Sequence, residues 1–111
     1  MSPDRNFLED IVVAARLAQS YAATITRDDL SWSIEKQDAI VRRLAVIGEA
    51  STKLPDEVKA ELPEIPWSSI IGLRNILVHQ YWELDLDELW MIIQRDLPDL
   101  IRAIERYRSL H

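Results

Sequence analysis

Cysteine is absent from the 111 residues, which removes both a disulfide framework and a thiolate metal site and suits a reducing compartment. Glycine occurs only twice, and strand-type alternation is nearly absent, so hairpin-rich β architectures have little to build on. No uninterrupted apolar run approaches the roughly 20 residues that span a bilayer. Residues 1–20 carry Asp4, Glu9 and Asp10 and lack the apolar block of a signal peptide, so a cytoplasmic protein without membrane contact is expected. Positive charge is also scarce: 13 Lys and Arg against 19 Asp and Glu give a net charge of −6. That balance argues against indiscriminate nucleic-acid binding, which relies on cations neutralising phosphates, yet it allows a local basic cleft on an acidic body. Of two histidines, one is the final residue, His111. With one internal histidine and no H-x-x-E or E-x-x-H spacing, no metal site is expected, and no cofactor either, since glycine-rich phosphate loops are missing.

What is present reads as helix throughout one domain, residues 1–111. Ser2 before Pro3 has the form of an N-cap with proline in the first turn, and Leu8, Ile11, Val12, Ala15 and Ala18 recur at helical spacing. These predict a first helix over 3–22. Thr26 and Asp29 open a short turn leading to Trp32. A second long helix is predicted over 33–53, with Ile40, Val41, Leu44, Ile47 and Gly48 on its apolar side. Pro55, Pro63 and Pro66 leave room for a short helix near 56–61. Pro66 then opens a third helix through Ile70, Ile71, Leu73, Leu77 and Val78, ending near Tyr81 and Trp82. Asp85 and Glu88 have capping-box spacing for a last helix, whose stripe is Leu89, Trp90, Ile93, Leu97, Leu100, Ile101, Ile104 and Tyr107. Pro98 inside that stripe predicts a kink or a fresh start near Leu97. The expected fold is all-α, an up-and-down bundle of four main helices plus short helical turns. Gly48 and Gly72 both fall inside helical patterns. Since glycine there costs roughly 1 kcal/mol relative to alanine, both are expected to mark tight crossings between the second and third helices.

The stretch RNILVHQY, residues 74–81, sets Arg74, Asn75, His79 and Tyr81 in an otherwise aliphatic run. On a regular helix Asn75 and His79 share a face, whereas Arg74 and His79 point about 140° apart. One reading is structural: a histidine near a helix C-terminus interacts favourably with the dipole, and Arg74 pairs with Glu49 or Asp38. The other is phosphodiester cleavage without metal. His79 would move a proton, Arg74 would stabilise charge on phosphorus, and Asn75 would orient the histidine or hold a phosphate oxygen. One histidine is few for both acid and base work, so two copies in a two-fold dimer would complete it.

Three blocks carry a resemblance. VRRLAVIGEA (41–50), LPEIPWSSIIGLRNILVHQYW (62–82) and DLDELWMIIQRDLPDL (85–100) follow one another as in the HepT-like toxins of the HEPN superfamily, and residues 74–81 match their R-x4-H-x-Y motif without departure. The resemblance covers essentially the whole chain, with 1–35 least distinctive. It implies an all-α homodimer, a cleft at the dimer interface holding both motifs, and metal-independent endoribonuclease action on RNA by Arg74 and His79. It also implies a cognate minimal nucleotidyltransferase antitoxin of the MntA type, which transfers AMP to the motif tyrosine, Tyr81 here.

Other polar positions are secondary. Asp38, Arg42 and Glu49 share one side of the second helix, read as a solvated face with an Asp38–Arg42 ion pair; Glu49, beside Gly48, is also a candidate support for Arg74. Trp67, Trp82 and Trp90 are read as core or interface anchors. The alternative to the nuclease is a non-catalytic helical module that binds a nucleotide or a protein.

Overall fold

The computed structural model describes residues 3–78 and 85–111. Helix α1 (Pro3–Ala22) buries Leu8, Ile11, Val12, Ala15 and Ala18, as their spacing requires. Ser2 lies outside the described residues. Thr26 then caps α2 (Arg27–Trp32) through a reciprocal box, its hydroxyl accepting from the Asp29 amide while the Asp29 carboxylate accepts from the Thr26 amide. Ser33 both ends α2 and caps α3 (Ile34–Thr52) by accepting from the Lys36 amide. The corner is braced from inside: the buried Gln37 amide donates to the Leu30 carbonyl at 2.9 Å.

Helix α3 is the centre of the molecule. It packs along α1 on one side and along α5 and the segment after it on the other. Ile40, Val41, Leu44 and Ile47 are wholly buried on it, and so is Ser51, whose hydroxyl is satisfied by the Ile47 carbonyl at 2.7 Å. After the short α4 (Asp56–Ala60), the Trp67 indole nitrogen donates to the carbonyls of Lys59 and Leu62, tying the proline-rich connection to the start of α5 (Trp67–Gly72).

The third helix departs from expectation. It is α-helical only to Gly72 and continues as a 3-10 helix over Leu73–Val78. Glycine and asparagine in this stretch give weak α propensity, and the narrower 3-10 coil brings its main chain against α3. The angles of a regular α-helix therefore do not describe Arg74 and Asn75; with three residues per turn, positions three apart align.

The last helix is composite. Asp85 caps α6 (Leu86–Met91) by accepting from the amides of Asp87 and Glu88. A π-helical turn follows at Ile92–Asp96, and α7 (Leu97–Leu110) begins with Pro98 in its first turn. Pro98 cannot donate to the carbonyl four residues back, and its ring would strike that carbonyl in a continuous α-helix. The π turn removes the conflict, placing the fresh start near Leu97 as the sequence predicts. Leu89, Ile93, Leu97, Leu100, Ile101 and Ile104 are buried, with Trp90 and Tyr107 half-buried at the margin. Among the described residues no strand occurs, and the architecture is all-α as expected.

The two glycines part company. A β-carbon built on Gly48 would lie 3.0 Å from the Ile71 carbonyl oxygen and from the Arg74 α-carbon, and nearer still to the Arg74 amide nitrogen. Gly48 is thus the tight crossing expected. Gly72 is not: a β-carbon there meets no atom within 4 Å, because the contact with α3 is made by the Ile71 carbonyl before it and the Arg74 amide two residues after it.

Opposite outcomes follow for the same substitution. Gly48→Ala should destabilise the fold by about 2 kcal/mol, since the obstructing atoms are backbone and cannot swing away. Gly72→Ala should leave stability unchanged or raise it by roughly 0.5–1 kcal/mol, the usual gain in helix propensity. Urea denaturation of the two variants beside the parent checks both; equal effects would contradict the crossing.

Candidate functional site at the α3 crossing

Main-chain contact with Gly48 fixes where Arg74 stands. The segment Leu73–Val78 lies along α3, its path pinned where the Ile71 carbonyl and Arg74 amide meet the bare α-carbon of Gly48. The side chains of Arg74 and Asn75 are exposed. Among the described residues neither has a hydrogen-bond or ion-pair partner. An exposed guanidinium not committed to a carboxylate is a set of fixed donors suited to a phosphate. His79, Tyr81 and Trp82 lie outside the described residues.

Glu49 follows Gly48 on α3 and is exposed, with no hydrogen bond or ion pair to Arg74. Asp38 and Arg42 are exposed on the same helix. The solvated face is there, but the Asp38–Arg42 ion pair is not formed. An exposed pair at this spacing gains only about 0.3–0.5 kcal/mol, too little to hold two solvated side chains together.

Elsewhere the acidic surface is stitched by arginines that join separate elements. Arg16 reaches Glu105 between α1 and α7 at 3.0 Å, and Arg27 reaches Asp87 between α2 and α6 at 2.6 Å. Arg108 returns to Glu9 on α1, and Arg106 to Glu64 ahead of α5, each at 2.6 Å. Arg102 pairs with Asp99, and Arg95 with Asp96.

Two features escape sequence reasoning. One is a groove of about 650 Å³ between α5 with its 3-10 extension and the α6–π–α7 composite, floored by Ile70, Leu73, Ile92 and Leu100 and rimmed by Glu88 and Arg95. Ile70, Leu73 and Leu100 read as core stripe in the sequence, so a groove among them is not signalled there. The other is the α2–α3 corner, where Trp32 is 87% exposed and Ile34 67%. The signal was available, because Ser33 between them caps one helix while ending another and so turns both neighbours outward. Among the described residues no three His, Asp or Glu side chains gather as metal ligands, and no helix is long and apolar enough to cross a membrane.

Comparison with known proteins places this geometry. The family described as HepT-like, "Ribonuclease HepT-like", matches residues 11–107. The chain is 35% identical over 105 residues to a protein named "Probable ribonuclease HepT" from Thermococcus cleftensis, covering 95% of this chain and 96% of that one. It is 32% identical over 99 residues to "Putative RNase MJ1380" of Methanocaldococcus jannaschii, covering 89% and 91% of the two chains. With "Putative RNase TTE0752" of Caldanaerobacter subterraneus it shares 29% over 105 residues, 95% of this chain and 94% of the other. No solved structure matches. Together with the all-α fold, these matches establish that the chain belongs to the HepT-like ribonuclease family of the HEPN superfamily.

Proposed function

We propose that this chain is the toxin of a toxin–antitoxin pair, an endoribonuclease that cuts RNA without metal through Arg74 and His79. The observation that carries the reading is the family match over residues 11–107, which encloses the R-x4-H-x-Y stretch at 74–81. The exposed guanidinium of Arg74, uncommitted among the described residues, supports it.

In this reaction the ribose 2′-oxygen attacks the adjacent phosphorus and the bond to the 5′-oxygen breaks, leaving a 2′,3′-cyclic phosphate and a 5′-hydroxyl. His79 takes the 2′-hydroxyl proton, and a second proton goes to the departing 5′-oxygen. Arg74 stabilises the charge that builds on the phosphorane oxygens. Asn75 holds a phosphate oxygen or orients His79, and Glu49 supports from α3. Two protons to move and one motif histidine per chain favour a homodimer with both motifs at one cleft. The apolar groove between the third and last helices gives that dimer a surface to bury. The partner is a nucleotidyltransferase antitoxin of the MntA type. The Tyr81 phenolic oxygen attacks the α-phosphorus of ATP, pyrophosphate leaves, and the AMP so attached sets a bulky base and a negative phosphate beside Arg74. Substrate is then blocked by occupancy and by charge.

Arg74→Ala and His79→Ala should each lower RNA cleavage by at least about 100-fold while the far-ultraviolet circular dichroism stays native. Cleavage by the parent should persist in chelator and yield cyclic phosphate ends. A strict need for divalent metal, or full activity in His79→Ala, defeats the mechanism. RNA binding without any cleavage would instead favour the non-catalytic module.

Sedimentation at micromolar concentration should give a two-fold dimer; a stable monomer would remove the shared cleft.

Co-expression with the antitoxin should raise the intact mass by whole AMP units on the peptide containing Tyr81. Tyr81→Phe should carry none. Full modification and silencing of Tyr81→Phe would show that another residue is the acceptor.

A further inference from the structure

How an acidic protein holds a polyanion is decided by which of its cations remain uncommitted. Arg16, Arg27, Arg95, Arg102, Arg106 and Arg108 are consumed by carboxylates on other faces. Among the arginines whose side chains are described, those outside such pairs are Arg42 and Arg43 on α3 and Arg74 on the segment packed against it.

Helical geometry sorts these two α3 arginines. At 100° per residue, Arg42 stands about 120° from Gly48 and about 9 Å along the axis, whereas Arg43 stands about 140° away in the opposite sense. On Arg43's side of the Gly48 line lie Leu44, Ile40 and Ile47, all buried in the core. The other side carries Val41 and Ala45, buried near the crossing, then Asp38, Glu49 and Arg42, all exposed. Arg42 therefore borders the open flank of the crossing where the Arg74 main chain meets α3. Asp38, one turn away on the same flank, leaves Arg42 unpaired.

We infer that Arg42 is a second phosphate-binding cation of the ribonucleolytic site, gripping the RNA backbone to one side of the phosphate that Arg74 attends. The inference rests on the proposed ribonuclease activity and adds a substrate contact to it. Arg42 and Gly48 are about 9 Å apart along the α3 axis, more than the width of one phosphate group, so Arg42 and Arg74 engage separate phosphates of the strand. Arg42 binds substrate and takes no part in proton transfer. Its loss should weaken binding and spare the chemical step.

The test uses a single-stranded RNA oligonucleotide that the parent cleaves, with Arg42→Ala, Arg42→Lys and Lys36→Ala. Lys36 is the control, an α3 cation without an ion pair among the described residues that lies about 120° round the helix from Arg42. Arg42→Ala should raise KM about tenfold with kcat within about twofold, and Arg42→Lys should recover much of the loss. In the His79→Ala background, Arg42→Ala should weaken RNA binding and reduce the slope of log affinity against log salt by about 0.7, one phosphate contact on a single strand. Lys36→Ala should change neither. An unaltered KM and salt slope in Arg42→Ala overturns the inference, as does an equal effect from Lys36→Ala, which would mark a diffuse charge effect. If Arg74→Ala is inactive while Arg42→Ala is normal, the ribonuclease reading survives and this contact falls. If the parent cleaves no RNA, both fall.

Discussion

The contact between Gly48 and the main chain of Ile71–Arg74 is the constraint on which the geometry of this molecule turns. A glycine within a helix gives up propensity, and what it permits here is an approach that any β-carbon would block. Helix α3 then serves two sides at once, with a conventional side-chain interface to α1 and a close backbone interface to the 3-10 segment. The second has a chemical corollary. Arg74 is positioned by its own peptide unit, so its side chain spends nothing on anchoring and stays free for solvent or a ligand.

The distribution of ion pairs complements this. Individually such exposed pairs are weak, near 0–1 kcal/mol. Their placement matters more than their strength, because several join elements far apart in sequence. The net charge of −6 disfavours indiscriminate nucleic-acid contact through long-range repulsion.

Much of this was legible from residue order. The limits of α1, the Thr26–Asp29 box and the buried stripe of α3 follow from spacing and caps, which are local signals. Pro98 forecast the break near Leu97, though not that the chain would resolve it by a π turn. Gly48 was legible as a crossing and Gly72 was misread, because sequence reports a missing side chain without saying which way it would have pointed. The 3-10 course of Leu73–Val78 was hidden for a related reason: α and 3-10 coils draw on the same residues, and tertiary packing decides between them. Arg74, Asn75 and Glu49 could be nominated by residue type and motif, but the absence of side-chain partners for them among the described residues is a property of the folded surface. The groove flanked by α5 and α7 was invisible because its floor has the composition of core.

The π turn at Ile92–Asp96 has one more effect, on phase. A single extra residue in a helical coil advances every later side chain by about 100° relative to an uninterrupted helix. Helix α6 is held against α2, whereas α7 lies along α1. Two neighbours at different azimuths would ordinarily demand two apolar stripes on one rod, or a loop between two rods. Here the stripe itself is rotated partway along, so one nearly continuous helix faces α2 with its first six residues and α1 with the remainder. The insertion works as a gear offset between two halves of the bundle. A one-residue deletion that restored ideal helical geometry between Met91 and Leu97 would therefore put the two halves out of mesh.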